Sequence, residues 1–222
     1  MLPRAKLTRV DNAYVRLKAD ILNGGLPPGY QAPEPDFAER LQMSRTPVRE
    51  ALIRLEADGL IDLVPRRGAR VLSVTTQDFF EIHQILSVLE GLAASIVSQR
   101  QIPEHSFEEM EAEIKGAEDA LQAGDLEGFA GHDDRFHRLV GEASNRRLHH
   151  EIDRHLNQVY RANLVLLRMN KGPALLPMGN RDLFETLRSA NMDKAEAAAR
   201  MHRMEGMATM KGLFEDSGLT HL

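Results

Sequence analysis

The sequence predicts a mainly α-helical protein with two domains: an N-terminal winged helix-turn-helix over residues 1–74 and a C-terminal all-α bundle of about six helices over residues 75–222. Three observations support this fold class. The first part has the order helix, helix, turn, helix, hairpin, which is typical of a winged helix-turn-helix. After residue 74 the apolar residues follow helical spacing, and no convincing strand pattern returns. A chain of 222 residues is also long enough for two domains.

The first two predicted helices are amphipathic and are separated by a run of turn-forming residues. Gly24-Gly25 ends the first helix, and Pro27-Pro28-Gly29 forms a turn before the second. The predicted ranges are 11–23 and 35–42, with Leu17, Ile21, Phe37 and Leu41 facing the core.

The third predicted helix begins near Ser44–Thr46 and ends at Asp58. Ser44 or Thr46 can cap its free amides, and a proline in the first turn costs little there. A hairpin follows, with strands at residues 60–64 and 69–74. The buried stripe of the helix is Val48, Leu52 and Leu55, and the basic turn of the hairpin is Pro65, Arg66, Arg67 and Gly68.

The C-terminal part divides into six helical segments. Breaks fall at Gly124-Asp125, Ser144-Asn145, residues 171–177 and Asn191. The predicted helices are 76–99, 104–123, 125–144, 146–169, 179–190 and 193–214. The methionines at 192, 201, 204, 207 and 210 are interpreted as bundle core or dimer packing.

Composition excludes several classes of protein. The chain has no cysteine, which excludes disulfides and thiolate metal sites. It has no run of 18 uninterrupted apolar residues and its N-terminus is charged, so we expect no membrane span, no signal peptide and a cytoplasmic location. Residues 1–74 hold 12 Lys and Arg against 9 Asp and Glu, whereas the remainder holds 16 against 24. A mildly basic domain joined to an acidic one fits a nucleic-acid-binding module attached to another function.

Basic residues gather where a winged helix meets DNA. Arg45, Thr46 and Arg49 lie at the N-terminal end of the third helix, away from its apolar stripe, where a recognition helix enters the major groove. The wing turn adds Arg66 and Arg67 beside Gly68, within reach of the minor groove or the phosphates. The alternative is a solvated face balanced by the acidic residues Glu50, Glu56 and Asp58.

These residues also carry a resemblance to the GntR family of bacterial regulators. The similar segments are ILNGGLPPG (21–29), SRTPVREAL (44–52), RLEADGL (54–60) and RGARV (67–71). The resemblance implies a dimer on a short palindromic operator. By position, it implies base and phosphate contacts for Arg45, Thr46 and Arg49, and a wing glycine at Gly68. Pro35 departs from the pattern, because some members place a DNA-contacting arginine there.

A metal site is one interpretation of the C-terminal domain. Asp133 and His137 are four residues apart on one helical face, and His202 on the last helix can reach them across the bundle. Oxygen and imidazole ligands suit Zn²⁺, Ni²⁺ or Mn²⁺. Spacing alone favours the other interpretation, an ordinary surface contact between Asp133 and His137.

The C-terminal domain also resembles the FCD ligand-binding domain of FadR-like GntR regulators. The similar segments are LEGLAA (89–94), DDRFHRL (133–139) and LRSANMDKAEAAARMH (187–202). Many such domains are similar to metal sensors with one Asp and three His, and the fourth position here is Asn180. Either Asn180 weakens a metal site, or it contacts an effector directly. Relatives often carry an Arg at the position of Leu86, so a carboxylate effector would need another cation, for which Arg161 is the candidate.

The function that unites these features is a homodimeric, ligand-responsive transcription regulator. It would bind double-stranded operator DNA and act as a repressor, with its affinity controlled by a small metabolite, an organic acid. The alternatives are a metal-dependent enzyme in the bundle and an architectural DNA binder. HExxH, a phosphate-binding loop and a nucleophile motif are all missing from the sequence, which disfavours the enzyme.

Overall fold

The structure, a computed structural model, describes residues 7–100, 102–169 and 179–217. The chain divides into two compact units, Met1–Val74 and Thr75–Leu222. The two units have separate cores and are described one at a time. The predicted break at residues 171–177 lies outside the described residues.

The N-terminal unit contains three helices and a small antiparallel sheet, which confirms the predicted winged helix-turn-helix. The sheet has the order β1-β3-β2, so the hairpin of β2 and β3 carries β1 on its outer edge. The elements are α1 (Arg9–Leu22), β1 (Gln31–Ala32), α2 (Glu34–Leu41), α3 (Arg45–Ala57), β2 (Ile61–Val64) and β3 (Gly68–Val71).

The core of this unit forms where the apolar stripes of the three helices meet. Leu17 and Ile21 of α1 pack with Val48, Leu52 and Leu55 of α3, and all five are 0–1% exposed. A capping box between Thr8 and Asp11 starts α1. Ser44 holds the N-cap position of α3, but its side chain makes no capping bond, so that part of the prediction is wrong.

Strand β1 was not expected from the sequence. It consists of two residues, and its register pairs Gln31 with Arg70 and Ala32 with Ala69. A two-residue strand has no alternating pattern to recognise, and its pairing depends entirely on where β3 lies.

The C-terminal unit contains six helices in its described residues, which confirms the predicted all-α bundle. Helix α4 is the central element and packs against α6, α7, α8 and α9. The helices are α4 (Thr76–Gln99), α5 (Glu104–Gln122), α6 (Leu126–Ser144), α7 (Arg146–Met169), α8 (Asn180–Arg188) and α9 (Met192–Ser217).

Two features of this bundle differ from the expectations. Helix α4 is long and apolar enough to cross a membrane, yet it is mostly buried among the other helices and carries buried His83 and Glu90. We therefore regard it as a core helix. Of the methionines, Met210 is buried, but Met192, Met201 and Met204 are exposed, so the core interpretation is wrong for these three.

Candidate DNA interface and ligand cavity

A groove in the N-terminal unit runs between α3 and the turn that joins β2 to β3. We call it the α3–wing groove. Arg45 and Arg49 of α3 line one side, and Arg66 and Gly68 line the other. Thr46 and Arg67 are exposed beside it. The structure thus brings the basic residues of the recognition helix and of the wing to one surface.

The arginines of α3 point outward and are not neutralised by the acidic residues of the same helix. The side chain of Arg49 is 69% exposed, and its contact with Glu34 is loose, with 3.8 Å between Nε and Oε1. Such an exposed pair contributes little. Glu56 instead accepts a 2.7 Å hydrogen bond from the Leu63 amide, and Asp58 accepts one from the Tyr14 hydroxyl. The guanidinium of Arg49 is therefore available to an external anion.

Gly68 is required by the geometry of the wing. Its φ of +88° is in the left-handed region, and a Cβ there would lie 2.1 Å from the Ala32 carbonyl oxygen. The neighbouring Arg66 also has a positive φ, of 64°. The tight turn and the close approach of β1 thus fix the position of the two wing arginines.

In the C-terminal unit, Asp133, His137 and His202 come together at the interface of α6 and α9. Their ligand atoms all lie within 4.8 Å of one another. The Nε2 atoms of His137 and His202 are 3.3 Å apart, and Nε2 of His137 is 3.9 Å from Oδ1 of Asp133. Both histidines are buried, which is inconsistent with an ordinary surface contact.

Glu90 of α4 orients His137. The distance from His137 Nδ1 to Glu90 Oε1 is 3.1 Å. Because a carboxylate only accepts hydrogen bonds, Nδ1 donates, and in the neutral ring the Nε2 lone pair faces Asp133 and His202. A carboxylate behind a histidine is the usual support of a metal-ligating imidazole.

Arg203 of α9 compensates the buried charge of Glu90. Arg203 Nε donates to Glu90 Oε2 at 2.6 Å, and Nη2 donates to Oε1. Burial alone would raise the pKa of Glu90, but the Arg203 guanidinium and His137 outweigh it and hold that pKa well below its usual range. Glu90 is thus an anion that joins α4, α6 and α9.

Asn180, at the start of α8, completes the cluster. Its Nδ2 donates to Asp133 Oδ1 at 2.7 Å. Its Oδ1 is buried and has no hydrogen-bond partner among the described residues, nor does Nδ1 of His202. Gly179 leaves room for the ring of His202, since a Cβ there would lie 2.6 Å from its Nδ1.

The chemistry of these donors fits a divalent metal ion. Burial, followed by the neighbouring His137, lowers the pKa of His202 to about 4, so this ring is neutral and able to ligate at neutral pH. Asp133, His137 and His202 offer one carboxylate and two imidazoles, a set suited to Zn²⁺, Ni²⁺ or Mn²⁺. The unpartnered oxygen of Asn180 is the fourth polar atom of the site, available to an ion once its amide turns away from Asp133.

A cavity opens beside the cluster, between α4, α6, α7 and α9; we call it the bundle cavity. Its polar wall contains Asp133, His137 and His202, together with Arg203. Arg161 is not among the lining residues: α7 faces the cavity with Leu156, Val159, Tyr160 and Asn163. Arg161 is buried elsewhere, and its Nε and Nη1 have no partner among the described residues. Of the described residues, Arg203 is the cation in the cavity wall.

Sequence reasoning missed several polar residues at this site, among them His83, Glu90 and Arg203. A signal for two of them was present. His83 and Glu90 are seven residues apart in the most apolar helix, so they lie on one face. Arg203 directly follows His202, but only the packing of α9 on α4 shows that it meets Glu90.

The winged helix with outward arginines, joined to an all-α domain with a buried polar cavity, defines the class of bacterial transcriptional regulators. The chain belongs to the GntR family: the profile "Bacterial regulatory proteins, gntR family" matches residues 9–71, and the profile "FCD domain" matches residues 81–205.

Individual relatives agree with this assignment. An "Uncharacterized HTH-type transcriptional regulator in the TAR-I ttuE-ttuC' intergenic region" of Agrobacterium vitis is 39% identical over 136 residues, covering 60% of this chain and 78% of that protein. The "HTH-type transcriptional repressor RspR" of Escherichia coli is 27% identical over 193 residues, covering 86% and 84%. The solved structure of E. coli McbR/YncC has a TM-score of 0.75 at 22% identity, covers 96% of this chain and 100% of that chain, and supports the fold.

Proposed function

We propose that this regulator is a homodimeric repressor that binds a palindromic operator and is controlled by a small organic acid in the bundle cavity. The observation that carries the proposal is the outward projection of Arg45 and Arg49 at the start of α3, next to the basic wing. Binding to chromosomal DNA implies a cytoplasmic location.

The α3–wing groove has the chemistry of a DNA interface. Arg45 and Arg49 carry guanidinium forks that match the O6 and N7 acceptors of guanine, and Thr46 can meet a phosphate or a thymine methyl. The first turn of α3 has no side-chain cap, so its amides are available to a phosphate. Arg66 and Arg67 would add sequence-independent backbone contacts.

An exposed apolar surface supports the homodimer. Helix α4 exposes Ile85, Val88 and Leu92 at helical spacing, and α9, which packs along α4, exposes Met201 and Met204. Several large apolar side chains exposed on two packed helices are typical of an interface. Two copies that meet through it would form an isologous contact, and the two-fold symmetry would match a palindromic operator.

The bundle cavity would hold the effector, and a divalent ion on Asp133, His137 and His202 would supply positive charge for its carboxylate. Arg203 is the nearby protein cation, but Glu90 already neutralises most of its charge. Without a metal, the alternative is a contact between the effector and Asn180, which is not itself among the lining residues but donates to Asp133 in the cavity wall. An effector changes operator affinity only if it binds the DNA-competent and DNA-incompetent states differently. We expect helix α4 to transmit the effect of the effector, because it carries Glu90 and begins two residues after Val74, the last residue of the N-terminal unit.

A metalloenzyme has less support from this site. Among the described carboxylates at the site, Asp133 would be a ligand of the ion, Asp134 is paired with Arg138, and Glu90 is paired with Arg203. A general base would need a further carboxylate in the cavity wall, and the described lining residues include none.

Fluorescence anisotropy with operator-length duplexes tests the DNA-binding proposal. Arg49→Ala should lower specific affinity by at least about fivefold, since a bidentate base contact contributes ~1–3 kcal/mol. Arg9→Ala, at an exposed site on α1, is the control and should bind like the parent. Equal affinity of both variants for the operator would show that Arg49 of α3 does not contribute to recognition of the bases.

Elemental analysis tests the metal. Protein purified without chelators should contain Zn, Ni or Mn, and His202→Ala should lose it while His150→Ala, at an exposed position of α7, retains it. Metal-free protein with no melting shift on addition of Zn²⁺, Ni²⁺ or Mn²⁺ would leave the direct Asn180 contact as the remaining mode.

A further inference from the structure

A second set of polar atoms faces the bundle cavity, apart from the metal-ligand cluster. His83 of α4 and Asn163 of α7 both line it. Within the part of the chain that the structure describes, neither Nδ1 nor Nε2 of His83 has a hydrogen-bond partner, and Oδ1 of Asn163 has none either. His83 is only 2% exposed, so its ring nitrogens cannot be satisfied by bulk solvent. Buried polar atoms without partners are rare in folded proteins and call for an explanation.

We propose that His83 and Asn163 form a hydrogen-bonding subsite for hydroxyl groups of the effector, which is therefore a small hydroxy acid. This inference rests on the proposed function, because it assumes that the bundle cavity is the effector site. It adds two ligand contacts that the cluster of Asp133, His137 and His202 does not include.

The donor and acceptor roles of these atoms select the hydroxyl group. A neutral imidazole offers one N–H donor and one acceptor nitrogen, and Asn163 Oδ1 is an acceptor. A carboxylate only accepts, so it would leave Asn163 and the acceptor nitrogen of His83 unsatisfied. A hydroxyl both donates and accepts, and can serve either residue. An ammonium group only donates, so it would satisfy the acceptors but leave the N–H of His83 without an acceptor.

The walls of the cavity also favour a ligand with a carbon skeleton. Phe129, Leu156, Val159 and Met210 line it alongside the polar residues. The ring of Phe79 lies 4.4 Å from that of His83, centroid to centroid, and holds the imidazole from the side. A small site with apolar walls and a few oriented polar groups is the usual form of a metabolite pocket.

The test compares acids that share a carbon chain and differ only in hydroxyl groups. The series are propionate, lactate and glycerate; succinate, malate and tartrate; and hexanoate and gluconate. Each is titrated by calorimetry into the full-length protein, once with Zn²⁺ and once after chelation. We expect at least one hydroxylated acid to bind about a hundredfold or more tighter than its deoxy partner, as in sites built to hydrogen-bond a hydroxyl. Equal binding within every series, or binding by none of the acids, would overturn the assignment.

Variants then locate the contact. His83→Leu and Asn163→Leu should each lower the affinity for the hydroxylated acid toward that for its deoxy partner. His83→Gln, which keeps a donor and an acceptor, should retain part of the affinity that His83→Leu loses. His150→Leu, at an exposed site on α7, is the control. The ligand-free His83→Leu protein should melt at or above the temperature of the parent, because the change removes unsatisfied buried atoms. A large drop in melting temperature with unchanged ligand discrimination would show that His83 is structural.

Parallel arms separate failure of this inference from failure of the proposed function. Operator release is measured by anisotropy with the acids, with neutral sugars and with the amino acids alanine and aspartate. Release by a sugar or an amino acid alone would keep the metabolite-controlled regulator and reject the hydroxy acid. A protein that binds no duplex at all would reject the proposed function itself.

Discussion

Arg200 and Arg203 lie three residues apart on α9 and each bonds a glutamate, but their surroundings differ. The pair of Arg203 with Glu90 is buried, with side chains 7% and 5% exposed, whereas the pair of Arg200 with Glu196 is 44% and 38% exposed. Arg203→Met should lower the free energy of unfolding by about 3–5 kcal/mol, because Glu90 would remain as a buried, uncompensated charge. Arg200→Met should cost less than about 1 kcal/mol. Urea denaturation of both variants measures the difference.

The double variant Glu90→Leu with Arg203→Met is the control for the buried pair. It should recover much of the lost stability, because neither charge of this pair is then left buried without its partner. If the two single arginine variants lose the same stability, burial does not set the strength of these pairs.

The lowered pKa of His83 predicts that the stability of the fold depends on pH. Burial, followed by the charge of Arg203, lowers its pKa from 6.5 to about 3, with Glu90 opposing and His137 adding to the shift. Below pH 6.5 the imidazole of His83 binds a proton in the unfolded chain but not in the folded chain. The contribution of neutral, buried His83 to the free energy of unfolding is therefore complete above pH 6.5 and is lost as the pH falls toward 3. Between pH 7 and 5 the loss from this group is about 2 kcal/mol.

Urea unfolding at both pH values, on the parent and on His83→Leu, measures that contribution. The variant should lose about 2 kcal/mol less than the parent between pH 7 and 5, and His150→Leu should follow the parent. A parent and a His83→Leu variant with the same pH dependence would mean that folding does not change the pKa of His83.

Single residues at the site could be predicted from the sequence only in part. Asp133 and His137 are recognisable because four-residue spacing puts them on one helical face, and His202 because the last helix can bring it to them across the bundle. The family resemblance implies the same three residues. His83, Glu90 and Arg203 were not predicted, because their roles depend on which faces of α4 and α9 meet. The same limit applies to Arg161, whose place on α7 relative to the cavity follows from packing.

At the scale of elements, the wing depends on one glycine. Gly68→Ala should destabilise the N-terminal unit by more than about 2 kcal/mol, because it adds strain at a positive φ and a collision of Cβ with the Ala32 carbonyl. Gly29→Ala is the matched control, since φ is +76° there and nothing lies within 4 Å of a Cβ. It should cost only about 1 kcal/mol. Thermal unfolding followed by circular dichroism distinguishes the two, and equal losses would show that backbone conformation alone matters.

The helices could be predicted from the sequence, whereas strand β1 could not. The predicted helices 76–99 and 146–169 coincide with α4 and α7. Long segments with helical spacing of apolar residues between clear breaks are the ones that a sequence pattern identifies best. Strand β1 exists only as a partner of β3. The ends of α8 and α9 differ from the expected 179–190 and 193–214 by one to three residues, which reflects the weak sequence signal of helix termini.

At the scale of the whole molecule, the two units differ in the sign of their net charge. The N-terminal unit carries the excess of basic residues and presents them on α3 and the wing. The C-terminal unit carries the acidic excess, and it buries Glu90 and His137 around a cavity. The proposed function requires this separation, because a DNA-binding surface must be exposed to solvent, whereas the proposed effector pocket must exclude it.

The assembly prediction concerns the apolar stripe of α4. Val88→Glu combined with Leu92→Glu should convert a dimer into a monomer, because two-fold symmetry puts four carboxylates into one interface. Val15→Glu, on α1, is the control, since Val15 is 50% exposed and Leu92 is 48% exposed. Light scattering on an exclusion column gives the mass of each form. The monomer should bind a half-site as the parent does but lose the added affinity for the palindrome, since each domain then binds alone. A stable dimer of the double variant would place the interface on another surface of the C-terminal unit.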